Sequence, residues 1–79
     1  MSLNDRLRGV FVDALQLDAD VDVENLKYRD IDEWDSVGHM ALVAAIEDEF
    51  DVQFETEQVI DMSSFKVALD MVKGFGISE

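Results

Sequence analysis

Ser36–Phe50, SVGHMALVAAIEDEF, places Leu42, Val43, Ile46 and Phe50 three and four residues apart, the spacing of a helical stripe that faces a core. A second set, Val37, Met40, Ala41 and Ala44, makes the same helix apolar on a side that the first stripe does not need. A helix apolar nearly all round has to be covered on more than one side. In a chain of 79 residues the extra side is suited to a partner or a hydrophobic ligand, with Glu47 and Asp48 rimming it with charge. Asp35 or Ser36 is suited to cap the start of this helix.

Working outward, Leu3, Leu7, Val10, Phe11, Ala14 and Leu15 repeat with the same period and predict a first helix over residues 3–17. Residues 18–35 lose the period, are rich in acids, and carry isolated apolar residues at Val21, Val23, Leu26, Tyr28, Ile31 and Trp34. They read as a long loop pinned to the core by those side chains, and a loop of that length inside a compact domain points to function. A short helix is expected at Thr56–Asp61. A last helix is expected over 64–73, capped by Ser63 or Ser64, stopped by Gly74, and buried through Phe65, Ala68, Leu69, Val72 and Phe75. With no proline, repeat or strand pattern, the fold class is all-α: three main helices and a short one in a single domain spanning 1–79.

The chain is short enough to bury only about 60% of its unfolded surface, so one core is all it can build. Having no cysteine, it has neither disulfides nor a thiolate metal site, and its 48% hydrophobic content supplies the stability. Nineteen acidic against six basic residues leave a net charge of −13, a surface that repels nucleic acid and favours basic protein surfaces. Nothing resembles a signal peptide or a membrane span, so a soluble, cytoplasmic monomer is expected.

Three patterns invite a site reading. Asp18, Asp20 and Asp22 alternate like the first ligands of a calcium loop. Val23 stands where such a loop needs its glycine and Arg29 where it needs its bidentate glutamate, so no metal site is assigned. Trp34-Asp35-Ser36-Val37-Gly38 is half of a nucleophile elbow, with Trp34 in place of the first glycine. His39, the only histidine, follows Ser36 by three residues on one helix, too close to act as a base arriving from another element, and is expected to pack beside Trp34 or line the helix interface. No catalytic residue is assigned, and the chain is not expected to be an enzyme.

The segment WDSVGHMALVAAIEDEFDVQF, residues 34–54, resembles the modification segment of acyl carrier proteins, in which Asp-Ser-Leu opens the second helix and a Glu-rich turn with a Phe closes it. Asp35-Ser36-Val37 matches the first element and Glu47-Asp48-Glu49-Phe50-Asp51 the second, while the helix order extends the likeness over nearly the whole chain. The resemblance implies an acyl-carrier-protein-like four-helix bundle. It also implies that a phosphopantetheinyl transferase attaches 4′-phosphopantetheine from coenzyme A to Ser36, with Asp35 aiding recognition. The arm would hold an acyl or aminoacyl group as a thioester for loading and transferring enzymes with basic docking surfaces, which meet Val37, Met40, Ala41, Ala44, Glu47 and Asp48. Gly38 and Ala41 stand where carriers of fatty acid synthesis usually have acids, so the chain looks more like a carrier of specialised biosynthesis. A helical interaction module without the arm, presenting the same acid-rimmed apolar groove, is the alternative.

Overall fold

Ser2 is extended and turns its Oγ to the N–H of Asp5 at 3.1 Å, which opens helix α1, Leu3–Leu15. A side-chain oxygen at this position satisfies one of the donors that a first turn leaves unpaired. The computed structural model describes residues 2–18 and 20–77. Leu3, Leu7, Val10, Phe11 and Leu15 are the buried face of α1. The helix stops two residues before the expected boundary at Leu17. Gln16 takes a left-handed conformation (φ 54°), and the N–H groups of Gln16 and Leu17 both turn back to the Val12 carbonyl. That closure satisfies the helix end and carries the half-buried Leu17 away from the helical path.

Helix α2, Ser36–Phe50, begins at Asp35, whose Oδ1 accepts the N–H of Gly38 at 2.8 Å. It ends as α1 does, with Asp51 left-handed (φ 54°) and the N–H groups of Asp51 and Val52 on the Glu47 carbonyl. Leu42, Val43, Ile46 and Phe50 are its buried residues, as their spacing requires. Arg6 joins α1 to the end of α2, bonding Glu49 Oε2 at 3.1 Å while its guanidinium lies 4.6 Å above the Phe50 ring. Both partners are partly exposed, so the pair contributes about 1 kcal/mol or less.

The segment between α1 and α2 contains one 3₁₀ turn, Val23–Asn25. Val23, Leu26 and Trp34 are buried, Val21 and Ile31 are half-buried, and Tyr28 lies at the surface. Trp34 is fully enclosed, with its ring edge-on to Phe11 at 5.3 Å. The loop is also tied to the start of the last helix, since Tyr28 N–H donates to the Ser63 carbonyl and Phe65 N–H to the Leu26 carbonyl.

Helix α3, Thr56–Asp61, starts with a reciprocal cap between Glu55 and Gln58 and has no buried residue of its own. It is held at its flanks by the buried Phe54 and Met62. Helix α4, Phe65–Gly74, is capped by Ser64, which accepts the Val67 N–H at 3.1 Å, and buries Phe65, Ala68 and Val72. Gly74 is its last helical residue rather than its stop. The glycine at positive φ is Gly76 (85°), which leaves Phe75 exposed against Phe54 instead of in the core. The fold is therefore all-α, four helices around one cluster of apolar side chains, with no strand among the described residues. No described helix is long and apolar enough to cross a membrane.

Candidate functional site

Ser36 is the first residue of α2 and lies exposed at its tip. Its hydroxyl makes no hydrogen bond among the described residues. Asp35 is exposed as well, but one carboxylate oxygen is committed to Gly38 N–H, so it caps the helix as well as charging the site. The first N–H of α2 to reach a backbone carbonyl is that of His39, on Asp35 at 2.7 Å. Those of Ser36 and Val37 come before it and point outward at the positive end of the helix dipole.

Arg29, Ile31, Asp32, Asp35 and Ser36 line one open depression. The Arg29 N–H donates to the Trp34 carbonyl at 3.0 Å, folding the chain back so that its side chain, seven positions before Ser36, shares that depression. The positive φ of Arg29 (74°) is part of the same reversal. In sequence, Arg29 is one of six scattered basic residues, and nothing local marks it as a neighbour of Ser36.

Along α2, Val37 (78% exposed), Met40 (58%), Ala41 and Ala44 form an apolar strip on the surface, and Asp48 is exposed beyond it. Ile60 of α3, 74% exposed, is a further large apolar side chain at the surface that no periodicity in the sequence assigned to a face. Glu47 differs from the expected free rim charge. It is half-buried, and its Oε2 accepts the Phe54 N–H at 2.8 Å, so it fixes the turn between α2 and α3.

Gly38 has a steric reason to be glycine. A Cβ there would overlap the Glu33 carbonyl oxygen and approach Leu15 Cδ2 to 3.2 Å. An acid cannot occupy this position without displacing backbone, whatever partner the protein meets. Ala41 carries no such restriction, being exposed.

His39 packs beside Trp34, and the contact is specific. Trp34 Nε1–H donates to His39 Nδ1 at 2.9 Å, and His39 Nε2 lies 2.7 Å from the Val59 carbonyl oxygen. A nitrogen that accepts from an indole cannot itself bear the proton, so the proton sits on Nε2 and is donated to Val59. The two ring planes differ by 16° with centroids 6.2 Å apart, a placement compatible with an N–H···N bond between the ring edges. Tyr28 covers the pair, its ring 5.3 Å from that of His39. Tyr28, His39, Val59, Ile60, Met62 and Ser63 line a largely apolar cavity of about 210 Å³. No protein-family model matches the chain, and none of the curated proteins compared with it does.

Proposed function

We propose that the protein is an acyl carrier, holding an acyl or aminoacyl group as a thioester on a 4′-phosphopantetheine arm attached to Ser36. The observation that carries this reading is an exposed, unbonded hydroxyl on the first turn of a long helix, directly beside an exposed apolar strip. A serine at the N-cap spends its oxygen on a backbone N–H, but Ser36 is the residue after the cap and has no such bond to make. Here Asp35 has taken that task, and the Ser36 oxygen is left for chemistry.

The residues around Ser36 fit a phosphodiester. The N–H groups at the start of α2 favour an anion, and Arg29 offsets part of the negative charge of Asp32 and Asp35, which line the same depression as Ser36. When bound, the arm supplies a terminal thiol that forms and exchanges thioesters. The chain itself orients the attachment point, offers Val37, Met40 and Ala44 for docking, and adds the apolar cavity against α3 as cover for a hydrophobic cargo. Acids at Asp35 and Asp48, within a net charge of −13, favour encounter with a transferase and with loading and transferring enzymes that present basic surfaces. No side chain of the site is assigned a catalytic step.

The decisive measurement is intact mass after incubation with coenzyme A and a broad-specificity phosphopantetheinyl transferase. One arm is expected on the native chain and none on Ser36→Ala, whose helical content should be unchanged. A native chain that stays unmodified would refute the carrier reading and leave the interaction module, while modification persisting in Ser36→Ala would move the site elsewhere.

A further inference from the structure

We infer that His39 is a positioning residue that latches α3 to α2 and so sets how far the apolar cavity between them opens; its bearing on cargo rests on the carrier reading above. Helix α3 has a single turn and a half and no buried residue, and a helix so short has little stability of its own. The Val59 carbonyl lies in its last turn, where carbonyls have no intrahelical donor, and His39 Nε2–H supplies one from a different helix at 2.7 Å. The other end of the same imidazole is held by the indole of Trp34, which is fully buried. The latch is therefore anchored in the core and reaches to a helix that the core holds only through its flanks, Phe54 and Met62, and through the half-buried Val59.

The cavity lies on this contact. Its lining joins Tyr28 of the loop and His39 of α2 to Val59, Ile60, Met62 and Ser63, all within or next to α3. Separation of α3 from α2 widens the space between these groups, and the hydrogen bond from His39 to Val59 opposes it at the middle of α3, while Glu47 and the buried Phe54 and Met62 hold its ends. Trp34 and His39, five residues apart in sequence, thus act as one unit in setting the position of α3.

Two substitutions divide the two bonds. His39→Asn leaves an oxygen near the indole N–H but is too short to reach Val59, whereas His39→Gln can reach Val59 with an amide N–H. In the unmodified native chain, imidazole nitrogen NMR should show the proton on Nε2. Amide hydrogen exchange at Val59, Ile60 and Met62 should then be about ten-fold faster in His39→Asn, relative to α1 and α4, and near native in His39→Gln. The inference is overturned by a proton on Nδ1, by native exchange in His39→Asn, by equal acceleration in both variants, or by acceleration of α1 and α4 to the same degree. For cargo, the probe is the chain loaded from octanoyl-coenzyme A. Loading should shift the methyl signals of Ile60 and Met62 more in His39→Asn than in the native protein, and equal shifts would overturn the link to the cavity. If Ser36 accepts no arm, the carrier reading falls, while the exchange experiment on the unmodified chain still decides the latch.

Discussion

Gly38 and Gly9 are both helical glycines, and alanine in their places should move stability in opposite directions. In an open helical position Gly→Ala is favourable by about 0.5–1 kcal/mol, because alanine loses less backbone freedom on folding. Gly9 is exposed on α1, and a methyl group added there would have no neighbour within 4 Å, so it should show that gain in full. At Gly38 the same methyl meets the Glu33 carbonyl oxygen and Leu15 Cδ2. Glu33 immediately precedes the buried Trp34, so its backbone can retreat only by disturbing the indole and its bond to His39. Because the clash is with backbone rather than with the end of a flexible side chain, the cost falls in the upper part of the overpacking range, about 2–3 kcal/mol, which exceeds the propensity gain and leaves a net loss of about 1–2 kcal/mol. For a domain of this size that is a fall in melting temperature of roughly 5–15 °C, against a rise of a few degrees for Gly9→Ala. Calorimetry on the native chain and the two variants decides the matter. A Gly38→Ala protein as stable as the native one, or more so, would refute the steric account. The same reasoning separates charge from packing in partner choice: Gly38→Asp tests the overlap, and Ala41→Glu, on an exposed position, tests the missing acid alone.

Glu47→Ala should lower stability in urea unfolding by about 1–2 kcal/mol, since it removes a charged acceptor from the Phe54 N–H, and Glu47→Gln should recover much of that loss. An Ala variant of native stability would return Glu47 to the role of a plain surface charge. The net charge of −13 predicts a graded rise in melting temperature as sodium chloride is raised from about 20 to about 500 mM, through screening of self-repulsion. A flat response would mean that the acids are too well separated to repel.

What could be read from the sequence divides along a physical line. Helix α2 was legible from end to end because its core stripe has the helical period and an acid caps its start. Its termination, like that of α1, carried no glycine: Gln16 and Asp51 enter the left-handed region themselves, held by closures that depend on where Leu17 and Val52 find cover. At the end of α4 a glycine was present, but the turn uses Gly76 and not Gly74. Long-range contacts were out of reach altogether. Nothing near His39 announces that its ring meets a carbonyl twenty residues later, and nothing near Arg29 announces its place beside Ser36. Gly38 is the most instructive case, because the resemblance to acyl carrier proteins makes it look like a missing acid, whereas the structure presents it as a position with no room for a side chain.

These local facts combine around Ser36. Before it, Asp35 is fixed by its bond to Gly38 N–H, and Trp34 is fixed by burial and by its bond to His39. After it, Gly38 lies against the Glu33 carbonyl, and His39 is tied to α3 through Val59. Each pin joins a residue before the serine to one after it, or holds the following turn to the rest of the fold. A hydroxyl at the apex of such a clamp is exposed without being loose. On the carrier reading proposed above, that combination suits an attachment point which one enzyme must modify and others must find in the same place. If Ser36 accepts the proposed arm, loosening any one pin should slow its modification, followed by intact mass against time, before it unfolds the bundle. Native rates in all such variants would refute the clamp.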